Sequence, residues 1–178
     1  MPTTLSMTEA EIIEGCLAND RLAQKALYDR YSQAMYTIAY RITNDFDLAS
    51  DVLQEGFLKA FRALPKFRKE STLGAWLKTI IIRTAISRMK REPSFEELPS
   101  AASEDWVDWG DFMTAEYLEK AIQSLPEGYR AVFVLIEVEG YSHQETADML
   151  GISPGTSKSQ LFHAKKRLRR ILSEWLDV

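Results

Sequence analysis

Apolar residues recur at intervals of three and four positions along almost the whole chain, and this spacing restricts the fold more than any other feature. It is the periodicity of helices that bury one face. Strand-like alternation and Asn-Gly hairpin turns are missing from the sequence. We therefore predict an all-α protein.

Four helices are predicted in the first half of the chain, each after a residue that caps helices well. The candidate caps are Thr8, Asn19 or Asp20, Asp45 or Asp47, and Ser71 or Thr72. The second helix carries an apolar stripe over residues 23–42, the third ends at Pro65, and the fourth covers roughly residues 73–90. Together they predict an N-terminal helical domain over residues 1–91.

Charge is distributed unevenly along the chain, although its formal net charge is only −4. Residues 92–113 include two prolines and contain no Lys or Arg. Their acidic residues are Glu92, Glu96, Glu97, Glu104, Asp105, Asp108 and Asp111. This composition is typical of a solvated, flexible linker, so the first domain is predicted to end there.

A second small helical domain is predicted over residues 114–178. Thr114 begins an amphipathic helix, and an apolar helix over residues 129–138 is closed by Gly140. Both helices are short, so their stability must come from packing against one another rather than from helix propensity.

The segment 140–168 has the pattern of a helix-turn-helix. Ser142 can cap a short helix, Gly151 permits a tight turn, and Ser153 with Pro154 begins a longer helix. In DNA-binding proteins the second helix of this motif enters the major groove. The spacing therefore predicts a DNA-binding domain.

The longer helix is predicted to have a buried side and a DNA-facing side. Leu161, Ala164 and Leu168 share the buried side. The residues predicted to face outward near its start are Lys158, Ser159, Phe162 and His163. The basic residues that follow would lie near phosphates: Lys165, Lys166, Arg167, Arg169 and Arg170. A merely solvated basic face is the alternative, which the cap, turn and spacing disfavour.

This part of the sequence resembles region 4 of the extracytoplasmic-function (ECF) sigma factors. The resemblance is carried by SLPEGYRAVFVL at 124–135 and GISPGTSKSQLFHAKKRLR at 151–169. Two positions depart from the family pattern: Ser157 replaces a small apolar residue expected to face inward, and Gln160 stands where a basic residue is frequent. The implied contacts to the minus-35 promoter element are Lys158, Ser159, Gln160, Phe162, His163, Lys165 and Lys166.

The N-terminal domain resembles sigma region 2 at residues 26–43, 51–67 and 72–91. The resemblance implies binding to core RNA polymerase and capture of the minus-10 element with one base flipped out of the stack. The implied polymerase contacts are Asp51, Gln54, Glu55, Phe57 and Phe61, the two aromatic residues being equally consistent with a core position. The implied minus-10 contacts are Arg68, Lys69, Ser71, Thr72, Trp76, Lys78, Arg83 and Arg88, with a core position competing for the tryptophan.

Together the resemblances imply a transcription initiation factor that recognises the minus-35 and minus-10 elements and promotes DNA opening. The implied partners are core RNA polymerase, promoter DNA and an anti-sigma factor, which can be membrane-bound; no small-molecule substrate is implied. The alternative function is an autonomous helix-turn-helix repressor, whose first domain would mediate dimerisation.

The sequence indicates neither an enzyme nor a cofactor or metal site. It shows no Gly-rich phosphate loop, nucleophile motif or paired catalytic carboxylates, which makes an enzyme with an appended DNA-binding domain the weakest of the three function classes. The single cysteine, Cys16, and the histidines, His143 and His163, lack zinc-ligand spacing. Without a secretory signal or a membrane-spanning apolar segment, we expect the protein in the cytoplasm.

The acidic linker allows two interpretations. In the family, this connection threads the RNA path of the polymerase, where an acidic chain would imitate RNA, aid docking and be displaced by the growing transcript. A plain flexible tether explains the same composition. Both interpretations stay open for residues 92–113.

Overall fold

The computed structural model describes residues 6–91 and 115–176, where all regular secondary structure is helical. The predicted all-α fold is confirmed. The chain divides into two compact units, Met1–Arg88 and Met89–Val178. The predicted linker at 92–113 and the helix start at Thr114 lie outside the described residues. Within the described ranges, no helix combines the length and apolarity needed to cross a membrane.

The first unit contains four α-helices and one 3-10 turn. They are α1 (Glu9–Leu17), α2 (Arg21–Thr43), α3 (Phe46–Ala63), the 3-10 turn Leu64–Lys66 and α4 (Leu73–Met89). Each α-helix begins after a cap residue whose side chain accepts a hydrogen bond from a backbone N–H of the first turn. The four cap residues are Thr8, Asp20, Asp45 and Thr72. The structure thus distinguishes the true caps from their predicted neighbours.

The core of the first unit lies between the inner faces of these helices. Its fully buried side chains include Ile12, Leu27, Ile42, Val52, Leu73, Leu77 and Ile81. Burial of each large side chain contributes about 1.5–3 kcal/mol. At Gly56, α3 and α4 approach so closely that a Cβ atom would lie 2.3 Å from Cδ1 of Ile81. The predicted apolar stripes therefore form one core.

The second unit is built around its last helix. Its elements are α5 (Ala115–Gln123), α6 (Glu127–Phe133), a π-helical turn (Val134–Val138), α7 (His143–Leu150) and α8 (Pro154–Leu176). α8 packs against α5, α6 and α7, with Leu161, Ala164 and Leu168 buried as predicted.

The apolar segment predicted as one helix over residues 129–138 is instead α6 followed by the π-helical turn. Six consecutive residues, 130–135, are buried, which is more than one face of a regular α-helix can bury. The N–H of Glu139 bonds to the carbonyl oxygen of Val134 at 2.9 Å, five positions back. The wider turn brings adjacent side chains to the core.

Candidate nucleic-acid and protein interfaces

The helix-turn-helix of the second unit is fixed by local contacts. Ser142 and Glu145 form a capping box at the start of α7, and Gly151 ends that helix with a left-handed φ of +69°. Ser153 begins α8 by accepting a hydrogen bond from the N–H of Thr156 at 3.0 Å. The predicted caps and turn are therefore confirmed.

The two helices of the motif are joined by a buried polar contact. Ser157 is fully buried, and its hydroxyl oxygen lies 2.8 Å from Nδ1 of His143. The serine that departs from the family pattern does face inward, and a histidine on α7 satisfies its hydroxyl group. His143 thus links α7 to α8 rather than lying on the surface alone.

The start of α8 presents a basic and aromatic surface. Lys158 and Lys166 are exposed, and Phe162 and His163 are half-buried. The His163 ring stacks on Tyr129 of α6, with ring centroids 5.8 Å apart, and meets the edge of Phe162 at 5.4 Å. Tyr129 belongs to this surface through its contact with His163. It lies on α6, so the residue spacing within α8 could not predict its place there.

Two residues predicted as minus-35 contacts lie inside the unit. Ser159 is 1% exposed and Gln160 is 5% exposed, so the expectation that Ser159 faces outward is wrong. Gln160 packs against α6, where a Cβ atom at Gly128 would lie 3.6 Å from its Oε1.

The basic residues further along α8 differ in their surroundings. Lys165 is half-buried and forms a 2.6 Å ion pair with Glu137. Arg170 lies 3.7 Å from Glu174. Arg167 and Arg169 are exposed. The exposed cations of this part of α8 are therefore Lys166, Arg167, Arg169 and Arg170, whereas Lys165 is paired with Glu137.

The exposed loop, residues 67–72, joins the 3-10 turn to α4. All of its residues after Phe67 are exposed, including Arg68, Lys69, Ser71 and Thr72. Lys69 has a left-handed φ of +57°, uncommon for a residue with a side chain. The half-buried rings of Phe67 and Trp76 lie 5.0 Å apart at the base of the loop. Cations beside aromatic rings are the features that bind single-stranded nucleic acid.

Further along α4, the predicted minus-10 contacts are less uniform. Arg83 is exposed and Lys78 is half-buried. Arg88 is half-buried, and its Nε donates a hydrogen bond to Oε2 of Glu55 at 2.8 Å. The structure thus brings together two residues that the sequence assigned to separate sites.

Glu55 is half-buried rather than exposed. Its Oε1 also accepts a hydrogen bond from Nζ of Lys59 at 2.7 Å. Hydrogen bonds from Lys59 and then Arg88 hold the pKa of Glu55 below its ordinary value. A substitution there would disturb the contact between α3 and α4 as well as any protein partner. Glu55 therefore cannot report on polymerase binding alone.

The outer face of α3 carries the remaining predicted polymerase contacts. Asp51 and Gln54 are exposed, whereas Phe61 is half-buried. Phe57 is 3% exposed and its ring packs 4.9 Å from that of Tyr28, so it is a core residue that cannot touch a partner from this position.

Leu58 lies on the same outer face and is 56% exposed, although sequence reasoning did not select it. It follows Gln54 by one helical turn, a spacing that could have revealed it. The exposed strip of α3 therefore consists of Asp51, Gln54 and Leu58.

Comparison with known proteins gives matches over both units. The profile of Sigma-70 region 2 matches residues 27–94, and that of Sigma-70, region 4 matches residues 115–168. The ECF RNA polymerase sigma factor SigM of Mycobacterium tuberculosis is 31% identical over 169 residues, covering 93% of this chain and 85% of the relative. The ECF RNA polymerase sigma-E factor of Escherichia coli K12 is 29% identical over 179 residues, covering 91% and 93%.

Solved structures agree with these matches. The sigma factor RpoE of Bartonella quintana, in complex with the anti-sigma factor NepR, matches with a TM-score of 0.56 at 25% identity over 84% of this chain and 96% of that chain. CnrH, in complex with the cytosolic domain of CnrY, matches with a TM-score of 0.52 at 23% identity over 92% and 96%, which shows the fold alone.

Two helical units, the second carrying a helix-turn-helix with an exposed basic surface, define a DNA-binding transcription factor. The chain belongs to the ECF sigma factors of the sigma-70 family, and it is a transcription initiation factor. The resemblance seen in the sequence is confirmed. An autonomous repressor is not favoured, because both units match sigma regions.

Proposed function

We propose that this chain recruits core RNA polymerase to promoters by dividing recognition between its two units. α8 reads the minus-35 element, and the exposed loop with α4 captures the minus-10 element. The observation that carries this proposal is the helix-turn-helix that leaves Lys158 exposed at the start of α8. The working division is residues 1–91, a linker at 92–113, and residues 114–178.

In this proposal the chain performs no reaction itself and works in the cytoplasm with the polymerase, which carries out nucleotide chemistry. A gel-shift assay with and without core polymerase tests the proposal. Promoter-specific binding only with the polymerase is expected. Tight specific binding by the chain alone would instead support a repressor.

For the minus-35 element, Lys158 and Lys166 take different roles. Lys158 lies at the start of α8, where side chains reach base edges, and Lys166 lies two turns later, where they reach phosphates. Lys158→Ala should change the preference among minus-35 sequences. Lys166→Ala should weaken all sequences alike and lower the salt slope by about one. Equal weakening of all promoters by both variants would contradict this placement.

For core polymerase, the exposed strip of α3 is the proposed contact. Leu58→Ala should weaken binding about tenfold, because the variant has less apolar surface to remove from water in the complex. Leu22→Ala is the matched control, because Leu22 is also 56% exposed but lies on α2. Both variants should melt at the wild-type temperature, and equal polymerase affinities for the two would rule out the α3 contact.

An anti-sigma factor is the proposed regulatory partner, which can be membrane-bound. The similar Bartonella sigma factor was solved with the anti-sigma factor NepR. A pull-down from the cells that make this chain, followed by added core polymerase, tests the proposal. A retained protein that polymerase displaces supports it, and recovery of polymerase alone contradicts it.

A further inference from the structure

Glu9 lies where three helices of the first unit meet. It is the first residue of α1, and its half-buried carboxylate accepts a hydrogen bond at 3.2 Å from the N–H of Leu73, the first residue of α4. Its other oxygen accepts a hydrogen bond at 3.4 Å from the hydroxyl group of Tyr31 on α2. One acidic side chain thus joins the start of α4 to both other helices.

The N–H of Leu73 needs an acceptor from outside its own helix. The first four N–H groups of an α-helix have no partner within it, and a negative charge there interacts favourably with the helix dipole. The side-chain oxygen of Thr72 accepts a hydrogen bond from the N–H of Ala75 at 3.2 Å. The acceptor for the N–H of Leu73 is the carboxylate of Glu9, which lies 64 positions away in the sequence. The start of α4 is therefore fixed by a distant residue.

Tyr31 holds the same helix start from a second direction. A Cβ atom at Gly74 would lie 2.9 Å from Cε1 of Tyr31, so the α4 backbone rests on the ring. A tyrosine hydroxyl group is protonated at neutral pH and can donate. Burial and then the Glu9 carboxylate raise the pKa of Tyr31 further. Arg30 of α2 also donates to the carbonyl oxygen of Met7, which holds the segment before α1.

α1 contacts the other end of the exposed loop as well. It packs against the 3-10 turn Leu64–Lys66, whose first residue is buried. Both ends of the loop are therefore attached to one short helix, while the residues between them are exposed. Such anchoring can hold the loop in one arrangement before DNA arrives, which reduces the ordering cost of binding.

We propose that Glu9 is a positioning residue for minus-10 capture: through Leu73 it fixes the start of α4, and so the arrangement in which the exposed loop meets the unpaired promoter strand. The inference rests on the minus-10 role proposed above for that loop. It gives a role to α1, which lies outside the residues 27–94 that match Sigma-70 region 2. Glu9 itself touches no DNA and acts through the α4 backbone.

Three variants separate positioning from general stability. Glu9→Ala removes the acceptor for Leu73, and Glu9→Gln retains an oxygen that can accept. Thr8→Ala is the matched control, because it breaks the capping box with Glu11 at the same end of α1 and leaves the bond to α4. Each variant is reconstituted with core polymerase. Its affinity is measured for a single-stranded minus-10 oligonucleotide and for a minus-35 duplex.

Glu9→Ala should weaken oligonucleotide binding about tenfold, as expected for loss of a hydrogen bond to a charged group, and leave minus-35 binding unchanged. Glu9→Gln should stay within about twofold of the wild type because the acceptor remains. Thr8→Ala should lower the melting temperature but change both affinities less than about twofold. Equal losses for Glu9→Ala and Thr8→Ala, or wild-type oligonucleotide binding by Glu9→Ala, would overturn the inference.

Arg68→Ala and Ser71→Ala test the underlying site separately. If these loop variants weaken oligonucleotide binding and Glu9→Ala does not, the Glu9 inference alone fails. If the loop variants bind the oligonucleotide as the wild type does, the minus-10 role of the exposed loop is wrong, and the inference falls with it.

Discussion

The helix-turn-helix of the second unit and the exposed loop of the first are held by different kinds of contact. Ser142 and Glu145, three positions apart, form one helix start of the motif, and Gly151 makes its turn. The exposed loop depends on Glu9, which reaches Leu73 across 64 positions. The motif should therefore respond to changes of single neighbouring residues, whereas the loop should respond to changes anywhere in its unit.

The largest effect is expected where distant segments of the first unit touch. Gly56→Ala would place a Cβ atom 2.3 Å from Cδ1 of Ile81, which should lower the free energy of unfolding by about 2 kcal/mol. Ile81→Val removes that methyl group, so the same alanine should cost about 1 kcal/mol less in this background. Denaturant unfolding of the four proteins measures the coupling. Strictly additive free energies would contradict the close approach of α3 and α4.

A somewhat smaller effect is expected at the turn of the helix-turn-helix. Gly151 has a φ of +69°, where an L-residue with a side chain costs about 1–2 kcal/mol, so Gly151→Ala should destabilise the second unit by that amount. Gly155→Ala is the control: its Cβ atom would meet Ser153 Oγ at an ordinary 3.7 Å, and alanine in a helix stabilises by about 0.5–1 kcal/mol. The melting temperature should fall for Gly151→Ala and rise for Gly155→Ala. Destabilisation by both would refute the assigned role of the turn.

The range of these contacts also explains what the sequence could predict. Thr8, Ser142 and Ser153 bond to partners within three positions, so the caps follow from short sequence patterns. Helical periodicity likewise placed the core face of α8. The contact of Glu55 with Arg88 spans 33 positions, and no local pattern signals it.

Burial of individual side chains was harder to predict than helix positions. Periodicity gives the direction of a side chain but neither its length nor what covers it. Periodicity therefore predicts Ser159 on the surface although it is buried. Gln160 is a DNA contact only by family resemblance, which does not show that α6 covers it. Leu58 is absent from the predicted contacts because these follow from the family resemblance alone, which carries over Asp51, Gln54, Glu55, Phe57 and Phe61.

A paired test of buried hydroxyl groups compares the two units. Thr146 of α7 is buried, and its hydroxyl group has no hydrogen-bond partner within the part of the chain that the structure describes. Thr146→Val should raise the free energy of unfolding by about 1 kcal/mol. Thr84 of α4 donates to the carbonyl oxygen of Ile80 at 2.8 Å, so Thr84→Val should lower it by about 1 kcal/mol. Chemical unfolding measures both changes. If both variants changed the free energy of unfolding in the same direction, the contrast between an unbonded and a bonded hydroxyl group would be wrong.

The smallest effect is expected for the partly exposed pair of Glu55 and Arg88. The pKa of Glu55 is lowered in the folded state, so the pair stabilises above the ordinary value of 4.5 and this contribution is lost as the pH falls through the folded-state pKa. Glu55→Gln should be less stable than the wild type near pH 7 by less than about 1 kcal/mol. The difference should shrink near pH 3. Unfolding curves with a pH-independent difference would argue against a charge effect.

The bond between Glu9 and Leu73 also sets an order in time during synthesis. Glu9 is made early, and its partner follows 64 positions later. At about 5–20 residues per second, α1 waits roughly 3–13 s on the ribosome before that bond can close. The capping box at Ser142, by contrast, joins residues translated within about one second of each other. A nascent chain therefore cannot arrange its exposed loop until translation of α4 has begun.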